Sequence, residues 1–220
     1  MGGLTRRRAL LGAAGEPLPA EYQRVEYLQG DGASYLNLGY SFTGGDYAIN
    51  TKIAPTVVED CVFCGVRKAQ NSGWCLAFGF NLTQNALPQM LVKAGSWQLG
   101  RTAAQVYTPY NLTVTFSGTA QSLAVNSVKE IASSYAVTFS DLSALPLYLF
   151  TVSAPYNPPS TSNCRHLRVY SFSIQKDGKT ELDLIPCCRK SDREPGMYDV
   201  VSGTFFVNQL SGAFIPGPDV

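Results

Sequence analysis

Apolar residues in this chain recur at every second position, in short runs separated by Gly, Pro, Asn and Asp, and helical spacing is nearly absent. Such alternation puts one row of side chains on each face of a strand, so it points to an all-β architecture. In Tyr47–Ala54, the residues Tyr47, Ile49, Thr51 and Ile53 share a face. In Trp74–Phe80, Trp74, Leu76, Phe78 and Phe80 do the same, so Trp74 is expected in the core. Further runs are Tyr22–Gln29, Ser34–Leu38, the CVFCGV stretch from Cys61, Gln89–Lys93, Tyr110–Phe116, Ser122–Val125 and Tyr135–Phe139. Leu147–Val152, His166–Ile174, Glu181–Ile185, Gly203–Val207 and Ala213–Ile215 complete the series. That is about a dozen strands, at the spacing of sandwiches and barrels. Phe139–Ala144, with Ser140 as a cap, reads as a short helical turn, and Pro155–Asn163 as a loop.

Composition agrees with a packed domain. Of 220 residues, 45% are hydrophobic and 15% charged, which supplies a core and argues against global disorder. Lys and Arg number 17 against 16 Asp and Glu, and a net charge of +1 gives no overall field for nucleic acid. No run approaches the roughly 18 apolar residues of a membrane span. The single boundary lies near Leu18-Pro19: a basic, Gly/Ala-rich arm over 1–17 precedes one domain over 18–220.

Six cysteines are present. Cys61-x-x-Cys64 could open a zinc site with Cys164 and His166, but the other pair, Cys187-Cys188, is vicinal, which does not suit zinc spacing. A redox CxxC would want a strand followed by a helix, and here Val62 and Phe63 lie inside a strand-like run. Buried free thiols are expected, with disulfide pairing left open.

The closing third carries a specific pattern. Arg168-Val169-Tyr170-Ser171-Phe172-Ser173-Ile174 leads through Lys176-Asp177-Gly178-Lys179 into Leu182-Asp183-Leu184-Ile185-Pro186-Cys187-Cys188. Gly196-Met197-Tyr198-Asp199, Gly203-Thr204-Phe205-Phe206 and Gly212-Ala213-Phe214-Ile215-Pro216-Gly217 follow. The start, Leu18-Pro19-Ala20-Glu21-Tyr22 with Val25-Glu26-Tyr27-Leu28, fits the same scheme. Over about residues 18–220 the chain resembles the laminin-G-like, concanavalin A-like jelly-roll modules of gut bacteria and their phages. Cys187-Cys188 departs from the pattern, where a single cysteine or another residue is usual, and so does Val207. The resemblance implies a two-sheet antiparallel jelly-roll sandwich with a short N-terminal arm. In it, Asp177-Gly178 makes a tight hairpin turn. Tyr170, Phe172 and Ile174 line one buried face, Pro186 ends its strand, and Asp199 anchors a loop through backbone hydrogen bonds.

Sandwiches of this kind include both lectins and glycan hydrolases. A hydrolase needs two carboxylates about 5 to 9.5 Å apart. The sequence offers only Glu181-x-Asp183, which belongs to the closing strand, and Glu59-Asp60, whose side chains point opposite ways on a strand. The single histidine, His166, excludes sites that need two, and no nucleophile-elbow motif is present. A non-enzymatic module is therefore expected. No cofactor is implied; calcium stays open, with Asp31, Asp46, Asp60 and Asn157 as candidates by residue type. For glycan, aromatic rings in polar, turn-like settings are the candidate contacts: Trp97 in Gly95-Ser96-Trp97-Gln98, Tyr107 and Tyr110 around Pro109, and Tyr156 with Asn157 in the proline-rich loop.

Arg6, Arg7 and Arg8 precede a short apolar run that Glu16 and Pro17 interrupt. Seven residues, Ala9–Gly15, sit at the bottom of the secretory range, so a docking arm is favoured over an export signal. Similar leaders occur on phage-encoded relatives of the module, so the resemblance implies a virion-surface or extracellular setting in which the arm attaches to virion or other protein subunits. The function expected is lectin-like binding of host or mucosal glycan for receptor binding or adhesion. The alternatives are a purely structural virion component (head fibre, decoration or tail accessory protein) and a glycoside hydrolase. Oligomeric state is left open.

Overall fold

A computed structural model describes residues 18–67, 75–83, 86–93, 96–118, 120–134, 139, 143–153 and 164–220. The Arg6–Arg8 arm, Trp74, Tyr156 and Asn157 lie outside the described residues, as do nearly all of Tyr135–Phe139 and half of Phe139–Ala144. Within that last stretch, the Ser143 N–H donates to the Phe139 carbonyl at 2.9 Å, the bond of a single α-turn.

The described strands form two antiparallel sheets. The larger runs β11 (Val128–Ser133), β10 (Gln121–Val125), β9 (Tyr110–Phe116), β4 (Tyr47–Pro55), β13 (Leu167–Lys176), β14 (Lys179–Arg189), β15 (Pro195–Asp199) and β16 (Phe205–Val207). Three short strands flank it: β1 (Tyr22–Arg24) on β14, β2 (Leu28–Gln29) on β13, and β17 (Ile215–Pro216) on β2. The smaller sheet runs β3 (Leu36–Asn37), β12 (Tyr148–Leu149), β5 (Asp60–Arg67), β6 (Cys75–Asn81), β7 (Leu87–Lys93) and β8 (Ser96–Leu99). Each strand contributes alternate residues to one shared core. Tyr47, Ile49, Ile53, Leu112, Val114 and Phe172 from the large sheet meet Phe63, Leu76, Phe78 and Phe80 from the small one, all nearly or wholly buried. Burial at about 25 cal/mol per Å² makes this aromatic interior the main stabilising term.

Several local outcomes follow from pairing. The turn at Asp177-Gly178 has φ of 49° and 77°, the left-handed pair of a tight hairpin, and joins β13 to β14 as expected. Tyr22–Gln29 is not one strand: between β1 and β2, Val25 bridges Asp219, and the Glu26 N–H donates to the Pro218 carbonyl. Tyr170 is not on the buried face, because the register of β13 against β4 shifts between Val169 and Ser171; Val169 takes the inward place and Tyr170 faces out. Pro186 does not end its strand. It sits inside β14, where the partner changes from β13 to β1, so its missing N–H leaves no gap in the β13 ladder and its carbonyl accepts from Val25.

Carboxylates close the fold where strands end. Asp199 is fully buried and accepts the N–H groups of Asp183 at 2.8 Å, Ser202 at 3.1 Å and Val201 at 3.2 Å, the loop anchor expected of it. Asp31 accepts from Ala33 and Ala213, each at 2.8 Å, tying the first turn to the last. Burial opposes ionisation of Asp31, but the Ala213 and Ala33 amides outweigh it and hold its pKa below the ordinary value.

Asp199→Ala should cost on the order of 3 kcal/mol in urea unfolding, because buried amide donors lose their acceptor. Asp31→Ala should cost about 1 kcal/mol at neutral pH after solvent screening. The folded pKa of Asp31 is depressed, so its contribution is present above the unfolded value. It is lost as pH falls through the folded one. Urea titrations should therefore show wild type and Asp31→Ala converging as pH drops below about 4.

Candidate functional site

The outer face of the small sheet carries a strip of mostly small, buried residues. Across it, Val62 pairs with Gly79 and Gly79 with Gln89, while Gly65 pairs with Ala77. A register shift between Val62 and Cys64 turns Phe63 into the core and leaves Val62 outside. Val62, Ala77 and Val152 pack together as a small cluster apart from the main core. The strands approach closely at the two glycines: a Cβ on Gly65 would overlap the Leu76 carbonyl oxygen, and one on Gly79 that of Cys61. Neither of these two positions can take a larger residue.

Higher side chains border this floor. Asp60, Val62, Arg67, Ala77, Trp97, Thr151, Val152 and Arg165 line a cup of about 130 Å³. That is well below the roughly 300–1,000 Å³ of an enclosed small-molecule site, so it suits one ring laid on an open surface. Trp97 is 40% exposed, and Leu99, on the same strand and face, is 51% exposed. Trp97 is held by β8, which pairs with β7 (Leu91 opposite Trp97), so Ser96–Leu99 is a strand and not the turn its Gly-Ser sequence suggests. Asp60 Oδ1 accepts the Nε2–H of buried Gln89 at 2.5 Å. The Arg165 Nε–H donates to the Val62 carbonyl at 3.3 Å.

The expected aromatic contacts do not gather in one place. Tyr107 is 59% exposed but belongs to the other side of the sandwich. The Arg168 guanidinium lies 5.2 Å from its ring and 4.3 Å from that of Tyr27, on the outer face of the large sheet. Tyr110 is no ligand contact: it is 6% exposed, packs on Phe80 at 5.0 Å, and its hydroxyl accepts the Gln105 N–H at 2.9 Å. Period-2 register at the head of β9 turns it inward. Arg67 and Arg165 escaped the sequence reading because isolated cations carry no motif; what gathers them is the place of Arg67 on β5 and the passage of the segment ahead of β13 beside Val62.

A larger depression, about 560 Å³, lies over the ends of β9, β10 and β11 beside Asp46, Ser117, Gln121 and Lys129. Its aromatic residues, Tyr47 and Phe116, are 3% and 2% exposed, so it offers no ring for stacking. We weigh the smaller cup more heavily for that reason.

Other ionisable groups are occupied by structure. Glu59 accepts the His166 N–H at 2.7 Å and faces its Nδ1 at 3.1 Å. The Tyr40 hydroxyl donates to Glu181. Burial, then the neighbouring Asp199 charge, raises the pKa of Asp183, but Asp199 is enclosed and cannot meet a substrate. Asp60 is the one carboxylate in the described lining of the cup. Among the described residues, no group of three or more His, Cys, Asp or Glu is placed to hold a metal ion. Asp31 is engaged in its turn, and the exposed Asp46 donates its N–H to Asp177.

The thiols of Cys61, Cys64, Cys164, Cys187 and Cys188 are free and buried, as expected. Burial raises every one, Cys164 to about 11 and Cys187 to about 12. These five should resist iodoacetamide in the native protein at pH 8 and alkylate fully in guanidinium, as read by peptide mass spectrometry.

No protein-family model matches the sequence, and no curated protein matches it. Solved structures do. A Bacteroides ovatus protein with a provisional assignment as carbohydrate-binding aligns over 91% of this chain and 62% of its own, at 11% identity and a TM-score of 0.55. A heptameric SAP-like pentraxin from Limulus polyphemus aligns over 93% of this chain and 95% of its own, at 7% identity and a TM-score of 0.52. Trypanosoma rangeli sialidase aligns over 73% of this chain and 26% of its own, at 12% identity and a TM-score of 0.50. This chain therefore spans about three fifths of the Bacteroides protein and about a quarter of the sialidase. At these identities the likeness is one of fold, and with the strand order it makes the chain an all-β, two-sheet antiparallel jelly-roll sandwich.

Proposed function

We propose that this protein is a non-enzymatic carbohydrate-binding module that takes glycan in the cup on the outer face of its small sheet. One observation carries the reading: Trp97 stands exposed at the rim of a cup floored by the buried residues Val62 and Ala77, with Asp60, Arg67, Thr151 and Arg165 around it. A flat aromatic face beside a low surface suits the apolar C–H face of a pyranose, while a few polar groups fix its hydroxyls. The fold likeness to the Bacteroides protein, described as carbohydrate-binding, supports the same direction. The setting we propose is the surface of a phage particle or the extracellular space, with the Arg6–Arg8 arm attaching the domain to another subunit. This setting rests on the resemblance of the closing motif and on the composition of the arm.

A glycan array probed with the full chain, with and without calcium, tests the reading. Saturable binding is expected. Trp97→Ala should weaken it about 30-fold or more at unchanged melting temperature, since an anchoring aromatic is worth roughly 2 kcal/mol or more. Tyr107→Ala, on the opposite face, should bind as wild type. Silence across the array, or binding indifferent to Trp97, would sink the reading in favour of a structural virion component.

A further inference from the structure

The cup has a charge bias that its shape alone does not require. Two guanidinium groups, Arg67 on β5 and Arg165 just ahead of β13, face one carboxylate, Asp60, in the described lining. Asp60 already shares one oxygen with the buried Gln89 amide at 2.5 Å. Arg165 is held differently. Its Nε–H donates to the Val62 carbonyl at 3.3 Å, at the edge of the floor, and this anchors the guanidinium against the wall. The two terminal nitrogens of Arg165 carry no partner among the described residues. A guanidinium pinned through Nε and open at its terminal nitrogens presents two parallel N–H donors in one plane. That fork matches the two oxygens of a carboxylate.

We propose that the cup selects a saccharide bearing a ring carboxylate, of the uronic-acid type. The carboxylate pairs bidentately with the terminal nitrogens of Arg165, and the sugar ring lies on Trp97. The inference rests on the reading of the cup as a glycan site and deepens it by naming the ligand class. Asp60 keeps one oxygen for a ring hydroxyl, which a wholly basic cup would lack. Pairing of an ionised group with a cation is stronger than a neutral hydrogen bond, so the acidic sugar should bind in preference to its neutral counterpart. An exposed ion pair is also screened by salt, so the preference should shrink as ionic strength rises.

The test is calorimetric titration of the full chain with trigalacturonate, with its uncharged counterpart galactotriose, and with a sulfated galactose oligosaccharide. Wild type should bind trigalacturonate at least about tenfold more tightly than galactotriose, and the margin should narrow between low and high salt. Arg165→Gln should remove that margin, weakening trigalacturonate far more than galactotriose. Arg165→Lys, which keeps the charge but not the fork, should retain only part of it. Trp97→Ala should weaken both sugars. Equal affinity of wild type for acidic and neutral sugar overturns the inference while leaving the glycan site standing, and this comparison needs no variant to fold. An equal loss for both sugars in a folded Arg165→Gln overturns it too, since Arg165 would then be only a wall. Preference for the sulfated probe over trigalacturonate overturns the carboxylate assignment. If wild type binds no saccharide at all, the glycan reading falls and this inference with it.

Discussion

The pairing of β4 with β13 is the constraint on which the rest of the sandwich depends. It joins Tyr47–Pro55 to Leu167–Lys176 in one antiparallel ladder, and the Thr51 hydroxyl donates to the Ser171 carbonyl at 2.8 Å across 120 residues of sequence. No hairpin brings these strands together. The large sheet then grows outward from them, β9 and β10 on one side and β14 and β15 on the other. Loop closure over such a distance has to precede the contacts that stabilise it, so this centre forms at an entropic cost that the aromatic interior offsets. The bulge between Val169 and Ser171 is part of the same ladder. It turns Tyr170 outward, where its ring meets Tyr27 at 5.4 Å and the Lys52 ammonium lies 5.1 Å away.

The small sheet is built on another principle. β5, β6, β7 and β8 follow one another as a meander of local pairings. Their inner residues are large, and their outer residues across β5 and β6 are Val62, Gly65, Ala77 and Gly79. One sheet face is therefore core and the other a shallow floor. The main-chain approach at Gly65 and Gly79 forbids side chains at both positions. The few carboxylates mostly act as staples: Asp199 under β14, Asp31 between the first and last turns, Glu59 on the His166 backbone. Against that background, the open end of Arg165 stands out within the cup.

Much of the architecture could be read from residues alone. The inward faces of β4, β6 and β9 follow from alternation, because period 2 is a local property of the strand. The Asp177-Gly178 turn and the Asp199 anchor were legible from local backbone chemistry. β8 was not: Gly95-Ser96 looks like a turn, and what makes Ser96–Leu99 a strand is the presence of β7 beside it. Pro186 was misjudged because a proline disturbs a ladder only where its partner needs the N–H, and here the partner strand changes. Tyr110 and Tyr107 look equivalent around Pro109, yet one packs on Phe80 and the other stacks near Arg168.

The all-β class, the single core and the buried thiols were thus set by patterns within a few residues of one another. The cup was not. Asp60, Trp97 and Arg165 belong to three distant stretches of chain, and they meet only when β5 pairs with β6, β8 closes the meander and the segment ahead of β13 crosses beside Val62. Alternation tells which side chains face outward; which outward residues become neighbours is decided by strand order and register, and no local pattern encodes either.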